Sequence, residues 1–203
     1  METPVGAARA HLHLVDEASA ALVLGHGAGG GVESPDLVAA RDAALEAVVS
    51  VVLVEQPYRV AGRRSPAPAH QLDTAWTSVL AQLREDALAD LPVMCGGRSS
   101  GARVACRTAA EVGAAAVLCL AFPVHPPGRG DDPTKSRLSE LDAVTVPTLV
   151  VQGERDPFGI PPQGPNCTVV LVPGTHSLRS TAPIGAAVSD WFGSGVLALA
   201  KVR

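Results

Sequence analysis

The amino-acid sequence predicts an α/β protein in which helices cover both faces of a mostly parallel β-sheet, forming a three-layer αβα sandwich. Short apolar runs alternate with segments of helical spacing along most of the chain. About seven of these apolar runs have the length and the flanking breakers of strands. Because 203 residues suffice for one domain with a full core, we expect a single domain over 1–203.

The composition of the chain excludes several classes of function. The sequence is 47% hydrophobic and 18% charged, which is typical of a folded protein. Its net charge of -4 argues against a general nucleic-acid surface. No stretch reaches membrane-spanning length without a charge or a breaker. We therefore expect neither a nucleic acid nor a membrane as a partner.

The cysteines and the N-terminal residues favour a reducing compartment. Cys95, Cys106, Cys119 and Cys167 include no C-x-x-C pair. This spacing favours small buried hydrophobic side chains over a disulfide or a metal site. The first four residues lack the basic region of a signal peptide, so we expect a cytoplasmic location.

The predicted elements leave no room for a cap domain. The predicted strands are apolar and end at breakers, and they cover 11–15, 21–24, 51–54, 91–96, 115–122, 146–152 and 168–172. Ser34 is expected to cap the first helix and Pro35 to open it. Later helices cover 72–83, 100–112 and about 184–191. The connection between the strands 115–122 and 146–152 is short and begins rich in proline and glycine, so we expect an active site open to solvent.

The clearest chemical signal is the G-x-S-x-G pentapeptide at 97–101, which lies between an apolar strand and a helical pattern. Such a turn presents a serine hydroxyl at the edge of the sheet. We therefore assign Ser99 as the candidate nucleophile. The backbone N–H of Ser100 lies at the start of the following helix and is expected to point at the developing oxyanion.

The glycine-rich loop at 26–30 is the second signal, because it follows a buried strand. Its backbone N–H groups, that of Ala28 first, are expected to complete the oxyanion hole. His26 is expected to brace this loop. Gly25, Gly27 and Gly30 also fit a G-x-G-x-x-G dinucleotide fingerprint, with Glu55 ending the next strand. Two observations count against that alternative. The next helix begins several residues after the glycine motif instead of inside it, and a dinucleotide site does not explain the elbow, Asp156 or His176.

An acid and a base follow in the order that a nucleophile elbow requires. Asp156 lies in the loop after a late strand, and His176 is the only histidine beyond it. Glu154 is the competing carboxylate, and Asp156 could instead be a turn former before Pro157. The order Ser, Asp, His predicts the α/β-hydrolase fold, with His176 as the general base. This chemistry needs no cofactor and no metal.

Other residues are candidates for substrate binding because they lie near the predicted site. They are His26, Gly27, Tyr58, Arg59, Arg98 and His125. Arg59, Arg63, Arg64 and Arg98 are read either as solvated or ion-paired side chains or as a patch that attracts a carboxylate or phosphate. For His125 we favour a structural role in its loop.

Seven stretches across nearly the whole chain resemble small, cap-less α/β-hydrolases of the dienelactone-hydrolase-like type. These stretches are 25–30, 55–59, 62–64, 96–101, 122–128, 152–159 and 174–176. The chain is most similar to a subgroup related to a testis-expressed hydrolase-like protein and to a subunit of a chromatin-modifying complex. The resemblance implies a triad of Ser99, Asp156 and His176. It departs from true dienelactone hydrolases, whose nucleophile is a cysteine, because Cys95 is not at the elbow position.

From these residues we expect a serine hydrolase that acts on a small-molecule ester or a related acyl bond. The alternative is a non-catalytic interaction or scaffold protein that keeps the fold, and only the resemblance motivates it.

Overall fold

The protein is built around one seven-stranded sheet. The computed structural model describes residues 1–200, with side chains through residue 198. In chain order the strands are β1 Arg9–His13, β2 Ala20–Gly25, β3 Val49–Glu55, β4 Val93–Arg98, β5 Val117–Leu120, β6 Thr148–Gly153 and β7 Cys167–Val172. The spatial order is β1-β3-β2-β4-β5-β6-β7, and β1 alone runs antiparallel to its neighbour. The predicted mostly parallel sheet is confirmed.

Helices cover both faces of the sheet, which confirms the three-layer architecture. The helices are α1 Pro35–Glu46, α2 Pro57–Val60, α3 Ala69–Glu85, α4 Ser100–Thr108, α5 Leu138–Asp142, α6 Thr181–Trp191 and α7 Leu197–Ala200. One core cluster joins α1 and α6 to the sheet, and the other joins α3, α4 and α5 to the opposite face. None of these helices combines the length and the apolar character needed to cross a membrane.

Strict alternation along the strands supplies both cores. In β2, Leu22 and Leu24 pack toward α1 and α6, whereas Ala21 and Val23 pack toward α3 and α4. All four side chains are fully buried. A strand with two buried faces reads as a continuous apolar run, which is why β2 to β6 were visible in the sequence.

Five predicted strands have a boundary that is wrong by two residues, namely those at 11–15, 51–54, 91–96, 115–122 and 146–152. The strand predicted at 11–15 is β1, which ends at His13 because the Val15 N–H donates to the Ser50 hydroxyl instead of a strand carbonyl. The strand predicted at 91–96 is β4, which begins at Val93. Pro92 has no N–H to give to a strand ladder, so it stands before the strand.

Helix ends also differ from the prediction. Ser34 precedes α1 in an extended conformation, but its hydroxyl makes no capping bond. The Asp36 carboxylate instead accepts the Leu37 N–H at 3.0 Å. The helix predicted over 100–112 ends at Thr108, whose hydroxyl donates to the Val104 carbonyl.

The connection between β5 and β6 holds only a short 3₁₀ turn, Pro133–Lys135, and the five-residue α5. Helix α5 is anchored on α4, because Arg103 of α4 binds Glu140 of α5 at 2.8 Å. The connection therefore packs against the body of the fold, and the predicted absence of a cap is confirmed.

Candidate active site

The nucleophile elbow is a turn of one residue. Strand β4 ends at Arg98 and α4 begins at Ser100, which leaves Ser99 alone between them at a positive φ of 51°. A Cβ at Gly97 or Gly101 would lie 2.4 Å or 2.3 Å from the Gly25 carbonyl oxygen. The two glycines of the motif are therefore required by the close approach of β2. The positive φ of Ser99 is the strained backbone expected at such a turn.

Three residues predicted from the sequence meet at the carboxyl ends of β4, β6 and β7. The Ser99 hydroxyl lies 2.9 Å from His176 Nε2, and His176 Nδ1 lies 2.8 Å from Asp156 Oδ2. The Asp156 side chain is fully buried and that of His176 is 15% exposed. In this arrangement His176 can accept the serine proton on Nε2 while its Nδ1–H donates to the carboxylate.

The Asp156 carboxylate is held from three sides. Besides His176, Oδ1 accepts the Phe158 N–H at 2.8 Å, and Oδ2 accepts from the Gln152 side-chain amide at 2.8 Å. The competing carboxylate, Glu154, is exposed. The structure thus brings Asp156 to the histidine, whereas Glu154 points to solvent.

Sequence reasoning missed two residues of this arrangement. The Phe158 ring stacks on the His176 imidazole with a centroid separation of 3.9 Å and an interplanar angle of 27°. The Gln152 amide also reaches the Phe122 and Gly159 carbonyl oxygens. The available signal for Gln152 was a polar residue within a buried apolar strand, and for Phe158 an aromatic residue two positions after the acid.

The glycine-rich loop is fixed by its carbonyl groups. His26 Nδ1 donates to the Gly27 carbonyl at 2.8 Å, and His26 Nε2 accepts the Gln56 N–H at 3.1 Å. The Tyr58 hydroxyl donates to the Ala28 carbonyl at 2.9 Å. In a trans peptide the N–H points opposite to the carbonyl of the same plane, so fixing the Gly27 carbonyl also fixes the direction of the Ala28 N–H.

The N–H groups of Ala28 and Ser100 are free to serve as donors. Within residues 1–200, neither N–H has a hydrogen-bond acceptor. The Ser100 N–H belongs to the first turn of α4, where intrahelical partners are lacking. Both groups are therefore candidates for the oxyanion hole.

The surroundings of His26 favour its neutral form. Burial lowers the pKa of His26 below its ordinary value, and the bond to the Gly27 carbonyl only partly opposes this effect. The nearby charge of Arg59 lowers the pKa further. Because both ring nitrogens have partners within the protein, His26 and the buried Tyr58 hydroxyl support the loop instead of facing a ligand.

In the structure, the guanidinium of Arg98 is not free to bind an anion, because it has partners within the protein. Its Nε donates to Asp36 Oδ2 at 2.7 Å, and its Nη2 donates to the His176 carbonyl at 3.1 Å. Arg98 is therefore ion-paired, as one of the two alternatives predicted, and its role in substrate binding stays a prediction. Arg59 is half-buried, whereas Arg63 and Arg64 are exposed.

His125 is tied into its own loop. Its Nδ1 lies 2.8 Å from the Pro126 carbonyl, and its backbone N–H donates to the Phe158 carbonyl at 3.1 Å. The ring also lies against Gly159, where an added Cβ would come within 2.8 Å of Nε2. His125 thus supports the segment that carries Phe158.

Among the described residues, no group of three or more His, Cys, Asp or Glu side chains is arranged to hold a metal ion. The site brings together a serine, a histidine and a carboxylate, an arrangement that can support acyl transfer.

Comparisons with known proteins agree with this architecture. A family model described as an alpha/beta hydrolase domain matches residues 18–179. The lidless serine hydrolase XC6422 from Xanthomonas campestris is 19% identical, with a TM-score of 0.71 over 94% of this chain and 92% of that chain. Est1E from Butyrivibrio proteoclasticus is 18% identical, with a TM-score of 0.72 over 92% of this chain and 93% of that chain.

A third structural neighbour is the dienelactone hydrolase from Anabaena variabilis. It is 20% identical, with a TM-score of 0.68 over 96% of this chain and 95% of that chain. A search of curated proteins gives no significant match. At these identities the solved structures show the shared fold, and the family model covers most of the chain. The chain therefore belongs to the alpha/beta hydrolase domain family.

Proposed function

We propose that this protein is a serine hydrolase that cleaves an ester or a related acyl bond through an acyl-enzyme. The single observation that carries the proposal is the continuous hydrogen-bonded chain from Ser99 through His176 to Asp156, with distances of 2.9 and 2.8 Å. A serine hydroxyl is a weak nucleophile until a base accepts its proton and a third group orients that base. The hydrogen bonds among Ser99, His176 and Asp156 support this chemistry.

The proposed reaction proceeds in two halves. Ser99 Oγ attacks the acyl carbon while its proton passes to His176 Nε2, and the Ala28 and Ser100 N–H groups stabilise the oxyanion. As the intermediate collapses, the bond to the leaving oxygen breaks and His176 returns the proton to it. A water molecule, deprotonated by His176, then hydrolyses the acyl-enzyme and restores Ser99. The buried Asp156 carboxylate stabilises the imidazolium in both halves.

The nucleophile in this proposal is Ser99 and not a cysteine. Burial raises the pKa of the Cys95 thiol to about 12, so it carries almost no thiolate at neutral pH. Cys95 also lies within β4, where its side chain is part of the core and not at the elbow. The cysteine-based chemistry of dienelactone hydrolases is therefore not carried over.

Hydrolysis of p-nitrophenyl esters of increasing acyl length tests the proposal. We expect the wild-type protein to release nitrophenolate from short-chain esters and the Ser99→Ala variant to lose at least about 10³-fold in kcat. Ser189→Ala removes an exposed hydroxyl on α6 and serves as the matched control. A folded wild-type protein that hydrolyses none of the esters, or a Ser99→Ala variant that retains activity, contradicts the proposal.

A further inference from the structure

Arg98 connects four parts of the site. It is the last residue of β4 and directly precedes Ser99. Its guanidinium binds the Asp36 carboxylate in the first turn of α1 and the backbone carbonyl of His176. Its Nη1 also lies over the glycine-rich loop, 2.7 Å from where a Cβ at Gly27 would stand.

The ion pair that anchors this arginine is well shielded from solvent. The Asp36 side chain is 1% exposed and that of Arg98 is 18% exposed. The second Asp36 oxygen accepts the Leu37 N–H at 3.0 Å, so the carboxylate is bonded through both oxygens. A buried ion pair of this kind contributes little net free energy of folding. Stability alone therefore does not explain why the pair lies at the site.

The contact that bears on the reaction is the one between Arg98 and the backbone of His176. Within the described part of the chain, Arg98 provides the one hydrogen bond to the His176 carbonyl. The loop carrying His176 includes two positive-φ residues, Gly174 and Leu178. The side chain of Arg98 therefore ties the backbone of His176 to the end of β4, next to Ser99.

We propose that Arg98 is a positioning residue that holds the backbone of His176 against the nucleophile elbow, and that Asp36 holds Arg98 in place. Arg98 acts through His176 and Ser99 and does not touch the reacting atoms. Its expected effect on turnover rests on the proposed function. A displacement of about 1 Å between reacting groups is enough to cost about 10²-fold in rate.

Substitutions of the pair test this role with steady-state kinetics on two esters, neutral p-nitrophenyl acetate and the anionic p-nitrophenyl hemisuccinate. For Arg98→Gln we expect kcat to fall by about 10- to 100-fold on both esters, with KM changing less than about threefold. Arg98→Lys keeps the charge but cannot reproduce the fork that reaches both partners, so we expect it to rescue activity only in part.

The double variant Arg98→Gln/Asp36→Asn provides the same test in case Arg98→Gln alone does not fold. Removing one partner leaves a buried unpaired charge, whereas removing both leaves none. Because the two residues act as a unit, we expect the double variant to lose about as much kcat as Arg98→Gln alone.

Arg107→Gln is the matched control because Arg107 of α4 also pairs with carboxylates, Asp73 and Glu140, and does not contact the site. We expect it to lower Tm while leaving kcat unchanged at temperatures well below Tm. Two results would overturn the positioning role. One is a kcat for folded Arg98 and double variants that matches Arg107→Gln. The other is a rise in KM confined to the anionic ester, which would indicate substrate binding.

A spectroscopic readout separates this inference from the proposed function. The proton that His176 Nδ1 shares with Asp156 can be followed by NMR with ¹⁵N-labelled histidine. We expect its resonance to shift or broaden in the Arg98 and double variants and to stay unchanged in Arg107→Gln. If the wild-type protein hydrolyses neither ester, the proposed function fails, and this resonance still decides the positioning role. An unchanged resonance in the folded double variant contradicts it.

Discussion

At the scale of single residues, the site depends on how completely Asp156 is bonded. Its two oxygens accept from His176 Nδ1, the Gln152 amide and the Phe158 N–H, each at 2.8 Å. A buried carboxylate with several donors keeps one orientation. That orientation fixes the plane of the His176 imidazole, which Phe158 also supports by stacking.

Asp156→Asn tests the role of the carboxylate with little change in volume. The amide offers its own N–H groups to the histidine, which favours the wrong tautomer, so we expect kcat/KM to fall by about 10³- to 10⁴-fold on a p-nitrophenyl ester. Glu154→Gln alters the exposed neighbouring carboxylate and should retain wild-type kinetics. The opposite pattern, with the larger loss in Glu154→Gln, would show that the acid has been misassigned.

The sequence was enough to identify the catalytic candidates, but it did not predict which side chains contact each other. Ser99, Asp156 and His176 were found because each carries chemistry and lies after an apolar run. The contact between Arg98 and Asp36 spans 62 positions in sequence, and neither residue lies in a pattern that points to the other. Such a contact depends on how α1 is placed on the sheet, which periodicity does not specify.

At the scale of elements, the elbow depends on the close packing of β2, β4 and the start of α4. The Ser99 N–H donates to the Leu120 carbonyl of β5 at 2.9 Å, which ties the turn to the next strand. On the other side, Gly97 and Gly101 admit the Gly25 carbonyl. The geometry of the nucleophile is therefore set by three neighbouring strands.

Gly101→Ala tests this packing. Its Cβ would lie 2.3 Å from the Gly25 oxygen, against backbone that cannot move aside easily. We expect the free energy of unfolding, measured with urea, to fall by about 1–3 kcal/mol and ester hydrolysis to be lost. In Gly185→Ala, on α6, the Cβ has no atom within 4 Å, so this control should gain about 0.5–1 kcal/mol. Equal effects from the two changes would contradict the packing argument.

Strands and the longest helix were predictable, whereas the shortest helices were not. Strands β2 to β6 were found because buried parallel strands give continuous apolar runs. The partly exposed β1 and β7 were found as short apolar runs that end at breakers, and α3 was found from its helical spacing. Helices α2 and α5 have four and five residues, too few for a periodic pattern. Helix α2 lies in a segment that Pro57 and Gly62 mark as a loop, and α5 lies in the connection between β5 and β6.

At the scale of the whole molecule, the parallel sheet explains why distant residues form one site. Successive parallel strands end at the same edge, so loops after β4, β6 and β7 meet although their residues are far apart in sequence. The same edge receives the glycine-rich loop after β2. The fold thus makes the order of the motifs in sequence sufficient to predict their assembly, and the finer bracing through Arg98, Gln152 and Phe158 appears only in the structure.

The central claim, that the assembled site activates Ser99, is tested most directly by reaction with a fluorophosphonate followed by mass spectrometry of the modified peptide. We expect a single adduct on Ser99, which is absent from Ser99→Ala and forms much more slowly in His176→Ala. A folded wild-type protein that forms no adduct, or forms it on another residue, would show that the site does not activate Ser99.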